Sequence, residues 1–275
     1  LIDRAVTIGA GLRIEIARVG VDDPQSPRVV FLHEGLGSVA LWKDAPARLC
    51  AAGGWRGLVY SRPGYGRSSP RAPAERWGPD FMHRQALEVL PAVLAACGID
   101  TAADPPWLFG HSDGGSIALI HAAAFPDRVA GAIVLAPHVF VEDVSIDSIA
   151  RTRDQYAAGL RARLARFHDD VDSAFFGWAD IWLDPAFRDW SIEALLPAIR
   201  CPLLAIQGHD DEYGTMAQID TIVRAVPGAT ALALRRCGHS PHRDQPEAVA
   251  EAAAGFIRRF AGRTLPHTHP PKETT

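Results

Sequence analysis

The sequence predicts an α/β fold, with a mostly parallel central sheet, helices on both faces and a helical insertion. Three observations lead there. Short unbroken apolar runs recur along the chain, each closed by turn-forming residues, which suits strands covered on both faces. Helical stretches alternate with them at the spacing of β–α–β units. From Pro137 to Arg200 the alternation stops, and amphipathic pieces without a convincing strand take its place.

Residues Val6 to Val19 carry β-branched side chains around the break Gly9-Ala10-Gly11 and predict an opening hairpin. The apolar runs predict strands over Arg28–His33, Gly57–Tyr60, Pro106–Phe109, Val129–Leu135, Pro202–Ile206 and Thr230–Leu234. A helix is expected over Phe81–Cys97, capped by Asp80 and closed by Gly98. Others are expected over Gly115–Ala124, Met216–Val226 and Glu247–Phe260. Within the interruption, Ile146–Phe167 and Ser173–Leu183 are amphipathic. We therefore read 1–136 and 201–263 as one core domain and 137–200 as a helical cap inserted into it. The polar tail 264–275, with Pro266, Pro270 and Pro271, is expected to be disordered.

Composition narrows the function classes. A chain of 275 residues, 48% hydrophobic and 22% charged, suits one globular domain with a sizeable core. A net charge of −4 with interspersed signs gives no reason to expect nucleic acid or an anionic membrane as partner. No run approaches the ~20 apolar residues of a membrane span, and no signal-peptide pattern stands near the amino end. Cys50, Cys97, Cys201 and Cys237 are scattered without a C-x-x-C pair, which reads as buried thiols in a reducing compartment. The expectation is a cytoplasmic protein acting on a small molecule, with no metal and no organic cofactor.

Gly110-His-Ser112-Asp-Gly114 fits G-x-S-x-G and sits where an apolar strand gives way to a helix. That sharp turn needs small residues around the nucleophile, here Gly110, Gly114 and Gly115, and lifts the Ser112 hydroxyl above the sheet edge. It also leaves the Asp113 N–H at a helix start, free to bind a developing anion. A serine hydroxyl needs an adjacent base. His239 follows the last strand, and Asp211 follows the Pro202–Ile206 run.

With these motifs the chain resembles the α/β-hydrolase superfamily over nearly all its length outside the tail. The elbow Gly110–Gly115, the acid loop Gly208–Tyr213 and the histidine loop Gly238–Pro241 carry the resemblance, in the order serine, acid, histidine. It implies Ser112 as nucleophile, His239 as base and Asp211 as the orienting acid, with Asp210 the competing acid. Phe31-Leu-His-Glu-Gly-Leu-Gly37 resembles the loop that donates the second oxyanion N–H, except that Glu34 replaces the usual glycine. Gly35 is then the donor that joins Asp113, and Leu36 the fallback. Tyr60–Ser68 resembles a D-x-R-G-x-G-x-S loop in which Ser61 replaces the acid, and serves as structural support.

The implied chemistry is ester, lactone or related acyl hydrolysis through an acyl-enzyme. Leu36, His111, Trp178 and Trp182 are candidate substrate contacts. Against this, His33 and His111 read as loop-packing residues, and the cap aromatics as packing against the sheet. The Asp113 carboxylate reads as lying outside the reacting centre. His242 lies beyond Pro241, and His267 and His269 lack the further ligands a metal needs. Carbon–carbon hydrolysis of ring-cleavage products is open. So are a weakly catalytic receptor, told apart by negligible turnover, and a cofactor-free oxygenase, told apart by survival of activity in Ser112→Ala.

Overall fold

The computed structural model describes residues 4–72 and 75–260. Its strands are β1 (Arg4–Ile8), β2 (Leu12–Gly20), β3 (Arg28–Leu32), β4 (Arg56–Tyr60), β5 (Trp107–His111), β6 (Gly131–Leu135), β7 (Leu203–Gly208) and β8 (Thr230–Leu234). They form one sheet in the order β1-β2-β4-β3-β5-β6-β7-β8. The β1–β2 hairpin is antiparallel and β2 joins β4 antiparallel, while β4 through β8 run parallel. The hairpin and the six later strands stand where the apolar runs place them, with small shifts at their ends.

Strand alternation divides the core into two layers. Val30, Leu32, Leu58, Leu108, Ala132 and Val134 face the cluster that includes Phe81, Met82, Ile117 and Ile219. Val29, Phe31, Val59, Phe109, Ile133 and Leu135 face the opposite cluster, with Leu49, Cys50, Val249 and Ile257 from helices Ala45–Gly53 and Pro246–Phe260. From β3 the chain steps outward to β4 and then returns to β5 on the other side of β3. The loops leaving β3 and β5 therefore border a topological switch point, the crevice where such sheets bind ligands.

Two expectations need correction. The helix from Phe81 is not continuous: a π turn over Gln85–Val89 separates Phe81–Arg84 from Leu90–Ala96. Pro91 has no N–H for the Leu87 carbonyl, and its ring crowds that carbonyl, so the turn widens. Asp80 makes no side-chain cap bond, although Gly98, at φ +73°, closes the helix as expected.

Between β6 and β7 lie helices Asp143–Asp154, Arg161–Leu164 and Val171–Trp182 and the 3-10 turns Pro185–Phe187 and Glu193–Ala198. Gly159, at φ 124°, breaks the turn between the first two. No described residue of this segment enters the sheet; one isolated bridge links Phe140 to Ser191. Among the described residues, no helix is long and apolar enough to cross a membrane. The expected disordered tail, His267 and His269, and the extreme ends of the core range lie outside the described residues.

Candidate functional site

Ser112 stands between β5 and helix Asp113–Ala124 with φ 53° and ψ −120°, a conformation that L-residues hold only when their surroundings impose it. Its N–H donates to the Leu135 carbonyl at 2.9 Å, and its own carbonyl accepts from the N–H groups of Gly115 and Ser116. A Cβ at Gly110 would collide with the Gly114 carbonyl, and one at Gly114 with the Leu32 carbonyl. The two glycines let the helix start pass this close to β5 and β3.

Three distant segments meet above this turn. His239 Nε2 lies 2.9 Å from Ser112 Oγ, and His239 Nδ1 lies 2.8 and 2.9 Å from the two oxygens of Asp211. Asp210 is exposed and contributes only a main-chain bond to the Cys237 carbonyl, so the structure brings Asp211 rather than Asp210 to the histidine. The Asp211 side chain is 1% exposed. It also accepts from the Gln207 amide at 2.6 Å and from the N–H groups of Tyr213 and Gly214. Burial pushes its pKa up, but the hydrogen bond and charge of His239, with the Tyr213 N–H, outweigh burial and hold the carboxyl below its ordinary value. It is thus an anion placed to receive a charged imidazole.

The Asp113 N–H opens its helix and has no carbonyl four residues back. Across the crevice, the Glu34 carbonyl accepts from His33 Nδ1 at 2.7 Å, Arg62 Nη2 at 3.0 Å and the Gly37 N–H at 3.0 Å. The C=O and N–H of a trans peptide point in opposite directions, so anchoring this carbonyl fixes the aim of the Gly35 N–H. Neither Gly35 nor Leu36 has a hydrogen-bond partner for its N–H among the described residues. His33 also accepts the Arg62 N–H at Nε2, 3.0 Å away. One donating and one accepting nitrogen require a neutral ring. Burial, reinforced by the Arg62 charge, keeps it neutral by lowering its pKa well below the ordinary value.

The remaining sequence candidates fall around this centre in unequal ways. Trp178 presses its indole onto Gly35, where any Cβ would strike it. Trp182 is 1% exposed and donates from Nε1 to Asp113 Oδ1 at 3.2 Å. Asp113 Oδ2 lies 3.5 Å from Arg62 Nη2, with both side chains almost wholly buried. Burial raises the Asp113 pKa, and Arg62 and Trp182 oppose that rise. The Asp113 side chain thus faces Arg62 and Trp182. His111 is 1% exposed, and its Nε2 lies 2.7 Å from the His239 carbonyl oxygen. Leu36 is half-buried, and its carbonyl accepts from His168 Nε2 at 3.0 Å.

Several contributors carry no sequence signal of their own. Gln207 on β7 braces Asp211. The Tyr213 ring lies 4.7 Å, and the His138 ring 5.8 Å, from the ring of His239. Burial, then the neighbouring His239, lowers the His138 pKa to about 3. The acid missing at Ser61 is supplied by Glu15 of β2, whose Oε2 accepts from Ser61 Oγ at 2.6 Å and from the Arg67 N–H at 2.9 Å. Among the described residues, no group of three or more His, Cys, Asp or Glu side chains is arranged to hold a metal.

A strained serine after the central strand, at the switch point of this sheet order, defines the architecture of the α/β hydrolases. The chain belongs to that family: the alpha/beta hydrolase family profile matches residues 29–252. It is 31% identical to polyketide synthase ThaQ of Burkholderia thailandensis over 90% of this chain, which spans only 12% of that much longer protein. It is 27% identical to the 2-succinyl-6-hydroxy-2,4-cyclohexadiene-1-carboxylate synthase of Enterobacter sp. (strain 638), over 86% of this chain and 93% of that one. The crystal structure of proline iminopeptidase from Mycobacterium smegmatis superposes with a TM-score of 0.75 at 19% identity, covering 94% of this chain and 98% of that one. That last likeness is one of fold.

Proposed function

We propose that the protein is a serine hydrolase that cleaves a carboxylic ester, lactone or related acyl bond of a small molecule. One observation carries the reading, the unbroken chain of hydrogen bonds from Ser112 Oγ through His239 to Asp211. His239 Nε2 takes the hydroxyl proton as Oγ attacks the carbonyl carbon, and the Asp211 anion stabilises the imidazolium that forms. The Gly35 and Asp113 N–H groups receive the oxyanion. His239 then gives its proton to the leaving group, water attacks the acyl-enzyme with the same base, and Ser112 is restored. No step calls on a metal or an organic cofactor.

Ser112 is only 6% exposed beneath the helical segment between β6 and β7, which favours a small substrate and a cap role for that segment. We place Leu36 and Trp178, beside Gly35, against the acyl group, whereas Trp182 and His111 are committed to supporting the elbow.

A second reading keeps the three residues and changes the bond. It is favoured by the likeness to a synthase named for a cyclohexadiene carboxylate, matched over nearly its full length. In it, His239 moves a proton at carbon and no acyl-enzyme forms. Labelling with a fluorophosphonate, alongside turnover of short p-nitrophenyl esters by wild type and Ser112→Ala, tests the first reading. Labelling at Ser112 with ester turnover lost in S112A is expected. Folded wild type that neither labels nor turns over any ester would overturn it.

A further inference from the structure

Glu34 stands where the family loop carries glycine, and the serine mechanism gives its carboxylate no task. That carboxylate is 18% exposed and reaches two loops at once. Oε1 accepts from Arg243 Nη2 at 3.3 Å, four residues past His239. Oε2 faces His111 Nδ1 at 3.5 Å. The other nitrogen of that ring, Nε2, donates to the His239 carbonyl at 2.7 Å, and because a carbonyl only accepts, the proton on Nε2 is fixed by geometry. The chain neighbours of these residues reveal the arrangement. Glu34 precedes Gly35, His111 precedes Ser112, and the bridge ends on the main chain of His239 itself.

We propose that Glu34 and His111 are positioning residues that tie the oxyanion loop, the nucleophile turn and the base loop into a single geometry. The proposal rests on the serine-hydrolase reading and adds a reason for the acid at position 34. Rings of His242 and Trp42 pack at 4.8 and 6.2 Å from the His111 ring and keep it in the plane that serves both partners. Burial favours the neutral form of Glu34, but His111, Arg243 and His33 outweigh it and keep its pKa well below the ordinary value. The side chain is therefore an anion throughout the neutral range and can only accept, so its contact with His111 holds when Nδ1 carries a proton as well as Nε2. Without the bridge, each loop keeps its own hydrogen bonds, and what loosens is the register among them. Misplacement by ~1 Å costs about 100-fold in rate in such sites, and losing one oxyanion donor about 100- to 1,000-fold.

The test is a double-mutant cycle in the full chain with Glu34→Ala, His111→Phe and the double variant, plus Glu34→Gln as the conservative replacement. The readouts are kcat and KM for a p-nitrophenyl ester and the rate of fluorophosphonate labelling, with folding followed by circular dichroism. Each single variant should lower kcat and the labelling rate about 10- to 100-fold with KM within about threefold. The double variant should lose no more than the worse single, because both remove the same bridge. In E34Q the amide oxygen can accept from only one of Arg243 and His111 Nδ1, because the NH2 then faces a donor at the other, so kcat should fall between those of wild type and E34A. Losses that multiply in the double variant, a change confined to KM, or full activity in E34A would overturn the proposal. Should H111F not fold, E34A and E34Q carry the test, since Glu34 is partly exposed. Active wild type with unaffected variants defeats the bridge alone, whereas inactive, unlabelled wild type defeats the serine mechanism and the bridge with it.

Discussion

Asp211→Asn probes the candidate chain where the surroundings leave the side chain least freedom. Oδ1 accepts two main-chain N–H groups, from Tyr213 at 2.8 Å and Gly214 at 3.3 Å, and neither can turn away. The Asn oxygen must occupy that position, which puts its NH2 in place of Oδ2. The oxygen keeps its 2.8 Å approach to His239 Nδ1, while the NH2 lies about 2.9 Å from the same nitrogen and about 2.6 Å from the Gln207 amide. Fold and contacts are largely kept, but the negative charge is lost and a donor faces a donor. Opposite charges with centres ~4 Å apart attract by about 4 kcal/mol at an effective dielectric constant of ~20. Removing that attraction from a transition state with a charged His239 costs about 1,000-fold in kcat. A reversed imidazole tautomer, with its proton on Nε2 facing Ser112, would extend the loss toward ~10,000-fold. Steady-state hydrolysis of a p-nitrophenyl ester, normalised to folded protein, reads the effect. Asp210→Asn should be nearly silent, because Asp210 is exposed and binds only through its main chain. A loss below about tenfold in D211N, or an equal loss in D210N, would refute this assignment of the acid.

Other substitutions test the supports. Trp182→Phe removes the indole donor and strands Asp113 Oδ1 in a buried site, so stability should fall by about 1–3 kcal/mol in urea unfolding. An unchanged midpoint would mean that the bond contributes nothing. Acid should destabilise the protein from about pH 6.5 downward. Burial pushes the pKa of His138 to about 3 and that of His242 to about 2, so below pH ~6.5 the unfolded chain binds protons that the folded chain refuses. Asp211, whose folded pKa is depressed, adds stability that is present above its unfolded value of ~3.9 and lost as pH falls through the folded value. His242→Phe should flatten the slope of stability against pH between about 4 and 6 by up to ~1.4 kcal/mol per unit. Parallel slopes for variant and wild type would contradict a neutral His242.

The sheet was legible because each of its parallel strands is an apolar run too short for a helix and bounded by turn residues. Gly57–Tyr60 and Thr230–Leu234 needed no tertiary information. The elbow was legible because close backbone packing demands glycine at positions 110 and 114, and the three candidate side chains follow their strands in order. The divided helix was harder. Pro91 was visible in the sequence, but whether the chain stops, kinks or widens at a proline depends on its neighbours. The supports were not legible, because their partners lie far along the chain. Arg62 meets Asp113, Glu15 meets Ser61, and Gln207 meets Asp211 only after folding. Trp178 and Trp182 looked equally fit to line a pocket. Which atoms an indole faces is decided by the docking of helix Val171–Trp182, which sets one ring on Gly35 and the other on Asp113.

His168, on the segment between β6 and β7, accepts the Gly66 N–H at Nδ1 and donates to the Leu36 carbonyl at Nε2. One imidazole thus clasps the inserted helices to the loops after β3 and β4, and Trp178 wedges against Gly35 from the same side. Transplanting residues 137–200 from a relative to broaden the range of accepted compounds would therefore be a poor modular exchange. A graft lacking equivalents of His168 and Trp178 would leave residues 33–37 without their roof, so chimaeras are better built with 33–37 and 62–68 carried along from the same parent.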